Sequence, residues 1–229
     1  MLTPRYFFAG DFRRFYEYFL SRPHRKRNFH KGEYLWEPGS PYGNLYYIVS
    51  GTAVHGAEHE SGHRKIISFH GPGTVFPGYH QADYKIELSL SMAALSELET
   101  LEFSREQFRA MFESNKELSG QVVNWYSMYV NRLLFETVHQ EYNTSLVKIC
   151  NLLYLLTAGQ PAGAGLEVET TQGELAELLG LSRVQFTRGL SELRSRKIVS
   201  TSRGRIQVTD LAALAELCTS EVLSHGPCL

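Results

Sequence analysis

Two capping boxes on either side of one glycine constrain this chain more than any other feature. Thr171 and Glu174 stand in a T-x-x-E arrangement that starts a helix, and Ser182 and Gln185 repeat it eleven residues later in S-x-x-Q form. Leu175, Ala176, Leu178 and Leu179 supply an apolar face to the first helix, and Gly180 permits the positive φ that ends it in a sharp turn. Two capped helices joined by a tight glycine turn predict a helix-turn-helix. The second helix, over residues 183–196, turns Phe186, Leu190 and Leu193 inward. Residues 198–208 then read as a β-hairpin with Arg203-Gly204 at its tip.

A helical hairpin alone does not specify a partner, but the charge around this one does. Between Thr171 and Asp210 stand seven basic residues (Arg183, Arg188, Arg194, Arg196, Lys197, Arg203, Arg205) against four acidic ones, in a chain whose net charge is −1. A basic second helix followed by a basic wing points to double-stranded DNA. The candidate DNA contacts are Thr171, Ser182, Arg183, Val184, Gln185, Thr187, Arg188, Arg203 and Arg205. Arginine suits guanine because its guanidinium donates two parallel hydrogen bonds.

The rest of the chain changes pattern twice. The first 25 residues read as an aromatic, basic helix ending near Pro23. From Phe29 to Phe103, β-favouring runs at residues 34–36, 45–49, 65–69 and 86–90 alternate with glycine and proline turns, as in a small β barrel or sandwich. Ser104 and Gln107 form a further capping box. A proline-free helical stretch covers residues 116–142, with Val122, Tyr126, Tyr129, Leu133 and Thr137 on one near-heptad face. That stripe packs either on a second copy of the helix or within its own chain. Another helix covers residues 144–158 and stops at a small-residue loop, residues 159–165; two short helices, a third helix and a hairpin are expected after it.

These residues resemble the CRP/FNR regulators over nearly the whole chain. Phe29-His30-Lys31-Gly32-Glu33, Pro38-Gly39, Leu45 to Gly51, Gly71-Pro72-Gly73, Ala93-Ala94-Leu95 and Leu101 to Phe108 are similar to that family's β-roll landmarks. Glu174-Leu175-Ala176, Gly180-Leu181-Ser182-Arg183 and Arg188-Gly189-Leu190 are similar to its helix-turn-helix. The resemblance implies an α+β chain: an effector-sensing β-roll (jelly roll) over residues 1–115, a dimerisation helix over 116–143 and a winged helix-turn-helix over 144–229. It implies a cytoplasmic homodimer on a palindromic operator, with RNA polymerase as a further partner and a hinge near Asn143.

Two departures refine the expectation. Cyclic-nucleotide-binding members carry Gly-Glu and later an Arg-Ser or Arg-Thr pair that holds the phosphate. Here residues 76–85 contain no arginine, and Pro77-Gly78 stands in place of Gly-Glu, so cAMP is not the expected effector. Relatives often place Glu after the first arginine of the recognition helix. Val184 offers only an apolar contact, best met by a thymine methyl.

The family's effector pocket lies between roll and long helix, where Phe76, Tyr79 and Tyr84 would face Trp125, Tyr126 and Tyr129, with Lys85 the nearby cation. Those side chains would suit a small aromatic or phenolic acid, or else form plain core and dimer seam. His55, His59, His63, His70 and His80 raise haem or metal as an alternative, although strand and loop histidines are more often surface residues. Cys150, Cys218 and Cys228 are too few and scattered for a disulfide framework or a zinc or iron–sulfur site, and read as reduced thiols, with a redox switch as the rival. No cofactor motif, nucleophile elbow, compact cupin-type metal signature or membrane-spanning run is present, so a regulator is expected rather than an enzyme. A signalling module that uses its helix-turn-helix as a protein contact is the remaining rival.

Overall fold

The computed structural model describes residues 4–40, 42–80, 82–157, 167–169, 171–202 and 205–223. They form two compact units, Phe7–Val130 on one side and Met1–Tyr6 with Asn131–Leu229 on the other.

The first unit is a β-roll. One sheet has the order β1(Phe7–Phe8), β6(Arg64–His70), β5(Ala53–Glu58), β8(Leu90–Ala94), β3(Tyr34–Trp36). The other runs β2(Arg25–Phe29), β9(Leu98–Ser104), β4(Asn44–Ser50), β7(Val75–Phe76). Between them lie Phe19, Leu45, Ile48, Met92, Leu101 and Phe103, all nearly or completely buried. At about 25 cal/mol per Å² of apolar surface, each such side chain contributes about 2 kcal/mol.

Two expectations fail here. The N-terminal segment is not one helix: β1 precedes a 3-10 turn at Arg13–Phe15 and a short helix, α1(Tyr16–Leu20). Its rings, Phe8, Phe12, Phe15 and Phe19, cover the roll, so tertiary packing overrides the helical pattern. Residues 86–90 are not a strand either. Lys85–Ser89 form a 3-10 turn, leaving Ile86 and Leu88 exposed, and pairing begins at Leu90.

The Ser104–Gln107 box opens α2(Arg105–Ser114) with both reciprocal bonds made. Asn115 then starts α3(Lys116–Tyr142), its Oδ1 accepting from the backbone N–H groups of Glu117 and Leu118 at 3.1 Å. The stripe divides. Val122 and Trp125 are buried on the roll core, with Tyr126 and Tyr129 packed beside them. A different face is exposed, carrying Val123, Val130, Leu134 and Val138 at spacings of seven, four and four.

The second unit takes in α3 from Asn131 onward, then α4(Ser145–Thr157), β10(Glu167–Glu169), α5(Gln172–Leu179), α6(Arg183–Ser195), β11(Val199–Ser202), β12(Arg205–Val208) and α7(Leu211–Glu216). The expected order of elements is corrected twice: a strand opens the segment, and the third helix follows the hairpin. β10 adds to the hairpin to make a three-stranded sheet, β10-β12-β11. Asn143 lies inside this unit and not at its border. Gln140 donates to Leu179 O at 2.8 Å, and Lys148 Nζ reaches Gln140 O at 3.0 Å, tying the end of α3 to α4 and α5.

Candidate nucleic-acid interface and effector site

Both capping boxes form. Thr171 Oγ1 accepts from Glu174 N at 3.1 Å while Glu174 Oε2 accepts from Thr171 N at 2.9 Å; Ser182 Oγ and Gln185 Oε1 do the same across α6 at 3.2 and 2.9 Å. Gly180 sits at φ 63°, ψ 32°, the left-handed turn that leaves only three residues between the end of α5 and the start of α6. Phe186, Leu190 and Leu193 are buried, and Gly189 marks the crossing with α4: a Cβ there would run into Ile149 Cδ1. That fixes which face of α6 looks outward.

The outward face carries Arg183, Val184, Gln185, Thr187 and Arg188, all exposed, with Val184 at 77%. They share the N-terminal half of one helix, where backbone N–H groups and the dipole also favour a phosphate. The guanidinium of Arg183 lies against the first turn of α5, its Nη2 3.1 Å from where a Cβ on Gly173 would stand. Thr171, Ser182 and Gln185 spend oxygens on the caps, so their first role is to hold the helices in place. Arg194 is spent on Thr201 Oγ1 and Ser191 Oγ, and Arg196 on Glu192, which distinguishes them from Arg183 and Arg188 at the exposed end. Arg205 is exposed on β12; Arg203 and Cys228 lie outside the described residues.

In the roll, the expected effector residues separate into three groups. Phe76, Trp125 and Tyr129 come together, with Trp125 stacked on Tyr129 at 5.0 Å and Phe76 6.0 Å from Trp125. Tyr126 donates to Tyr79 O at 2.7 Å, and the Tyr79 ring packs on Phe108 and Phe112. Burial pushes the Tyr126 hydroxyl pKa well up, so it is a donor throughout the physiological range. Tyr84 is exposed and touches only the rim, its ring 5.5 Å from His80, and Lys85 is exposed beside it. The cation of that neighbourhood is Arg105 from α2, donating to His80 O at 3.0 Å and Asp83 Oδ1 at 2.5 Å.

Two of the five histidines are core and not surface residues. His55 and His70 are 5% and 0% exposed, and their rings stand 4.7 and 4.0 Å from Phe76. Tyr129 Oη lies 3.0 Å from His55 Nδ1 and 3.3 Å from Ser68 Oγ, which in turn is 2.9 Å from His70 Nε2. The signal for them was period-two alternation: Ile66, Ser68 and His70 are inward positions of β6, and His55 pairs with Ser68 in register. Trp125 Nε1 is buried beside this cluster without a hydrogen-bond partner among the described residues. A groove of about 410 Å³ lies elsewhere, in the second unit, lined by Leu134, Phe135, Val138, His139, Asn143 and Glu221 among others.

Among the described residues no three His, Cys, Asp or Glu side chains converge to hold a metal ion, and no helix is long and apolar enough to cross a membrane. Cys150 and Cys218 are free thiols, each pushed up to about 12 by burial.

The cyclic nucleotide-binding domain family matches residues 26–115, and the Crp-like helix-turn-helix domain family matches residues 147–217. The global nitrogen regulator of Nostoc sp. (strain PCC 7120) is 24% identical over 79% of this chain and 83% of its own length. The CRP-like cAMP-activated global transcriptional regulator of Mycobacterium tuberculosis is 23% identical over 82% and 85%. The structure of FixK2 from Bradyrhizobium japonicum superposes with a TM-score of 0.74 at 17% identity, covering 86% of this chain and 98% of that one. OCPA-complexed CprK gives 0.72 at 19%, covering 93% and 100%. With the sensor-type domain and the helix-turn-helix matched in order along one chain, and with whole-length relatives that are transcription regulators, this chain belongs to the CRP/FNR family of DNA-binding transcription regulators.

Proposed function

We propose that the chain acts as a homodimer on an inverted repeat, reading each half-site with Arg183, Val184, Thr187 and Arg188, and that a small molecule other than cAMP controls it. The observation that carries the DNA assignment is the division of α6: one face is locked by Phe186, Gly189 and Leu190, and the opposite N-terminal face exposes two arginines and Val184. Thr171, Ser182, Gln185, Arg203 and Arg205 act on the phosphates that flank those bases. Val184 pairs with a thymine methyl. Enrichment from a random DNA pool tests this. A palindrome should emerge whose thymine preference at one position disappears in Val184→Glu; an unchanged preference would overturn the assignment.

The dimer seam is the exposed face of α3, where Val123, Val130, Leu134 and Val138 keep near-heptad spacing. Residues 1–115 serve as sensor, 116–143 as coupling helix and 144–229 as DNA reader. RNA polymerase is the further partner. The effector seats among Phe76, Trp125 and Tyr129, now with His55, Ser68 and His70, which together offer aromatic walls and both donors and acceptors. CprK, solved with o-chlorophenolacetic acid, and the c-di-GMP-responsive regulator CLP support effector control as a reading for this fold. The absence of arginine from residues 76–85 supports an effector that is not a cyclic nucleotide.

A further inference from the structure

Arg132, on α3, is 1% exposed, and among the described residues its Nε and Nη2 have no hydrogen-bond partner. A buried guanidinium normally spends every donor, because desolvating a cation is costly. The nearest acid pairs with it by charge but accepts no hydrogen bond from it. Glu136, one turn on, keeps its Oε2 3.9 Å from Nη2, outside hydrogen-bond range, and gives that oxygen to the Tyr6 hydroxyl at 2.6 Å. Its Oε1 accepts from Gln140 at 2.7 Å. The Tyr6 ring meanwhile lies 4.7 Å from the guanidinium carbon, covering one face of the cation. The two unspent donors are the pair on one edge of the guanidinium, the edge that takes a planar carboxylate with two parallel N–H···O bonds.

We propose that Arg132, backed by Tyr6, is the binding site for the carboxylate of a small ligand. The open guanidinium edge offers donors only, and a carboxylate gains about twice what a neutral acceptor gains there. Glu136 beside it penalises a dianion, which favours a monocarboxylate over phosphate. Tyr6 is a positioning residue: by holding Glu136 it keeps that side chain off the guanidinium. The inference rests on the reading that a small molecule controls the protein, and it adds the charge of the ligand.

The test uses the full chain and matched pairs of probes, benzoate against benzamide and phenylacetate against phenylacetamide, with inorganic phosphate as a third arm, followed by calorimetry and thermal shift. The parent should bind acids about tenfold or more tighter than their amides, the difference that charge-assisted hydrogen bonds supply, and should ignore phosphate at the same concentration. Arg132→Met should erase the preference for acid over amide. Should that variant not fold, Tyr6→Phe carries the test: Glu136 is released to turn to Arg132, and acid affinity should fall about tenfold. No binding by either acid, equal binding of acids and amides, phosphate preferred, a preference that survives Arg132→Met, or acid affinity unchanged in Tyr6→Phe would each overturn the site. Operator binding that responds to neutral phenols, with no preference for acids, removes the carboxylate site and leaves effector control standing.

Discussion

Replacing Gly173 with alanine should pull stability and DNA affinity in opposite directions. Gly173 stands in the first turn of α5 with an ordinary helical backbone, so alanine fits the fold and lowers the entropy of the unfolded chain, worth about 0.5 kcal/mol. For a protein of this size that raises Tm by about 1–2 °C. The new methyl, however, would stand 3.1 Å from Arg183 Nη2, 3.4 Å from its Nε and 3.5 Å from its Cζ, so the guanidinium must move outward by a few tenths of an ångström. A bidentate arginine–guanine contact is worth about 1–3 kcal/mol and depends on that alignment. Losing about 1 kcal/mol weakens Kd about fivefold. Fluorescence anisotropy on the selected operator, with a parallel melting curve, measures both. A variant that melts higher yet keeps the parent's affinity and base preference would refute the placement of Arg183 at the base edge.

Gly189→Ala should destabilise by about 1–3 kcal/mol, since its Cβ runs into Ile149 Cδ1 in a fully packed crossing; chemical denaturation reads the loss. Ser182→Ala, which removes the cap of α6, should cost about 1 kcal/mol and weaken binding to every DNA sequence alike. Leu134→Glu should convert dimer to monomer in sedimentation, because Leu134 is 62% exposed on the apolar face of α3. Cys150 and Cys218 hold their protons more tightly folded than unfolded, so their contribution is intact below the unfolded pKa of 9.0 and is lost as pH rises from there towards 12. A pH series of melting curves should show this alkaline loss shrink in the double Cys→Ala variant.

What the sequence made legible follows from how local the determinants are. The two capping boxes and Gly180 act within four residues of themselves, and all three formed as expected. The N-terminal helix and the strand at residues 86–90 failed because long-range burial decided them: Phe8 and Phe12 belong to the roll, and Ile86 and Leu88 stay in solvent. The α3 stripe left two packings open for the same reason, and Tyr126 and Tyr129 pack within their own unit. His55 and His70 were not read as core, because β5 and the end of β6 bury consecutive residues and blur the alternation. Arg132 was not legible either, because an arginine four residues before a glutamate on a helix reads as a solvated pair, and only the fold shows both side chains buried.

Base-resolved binding by α6 is the most direct test of the account. The parent and the Arg183→Ala/Arg188→Ala double variant should be titrated, in the presence of effector, against the selected palindrome and against a scrambled duplex of equal length. The account predicts that the parent prefers the palindrome by about a thousandfold or more and that the double variant retains only the weak, salt-sensitive binding common to both duplexes. A double variant that still separates the two duplexes as the parent does would contradict it.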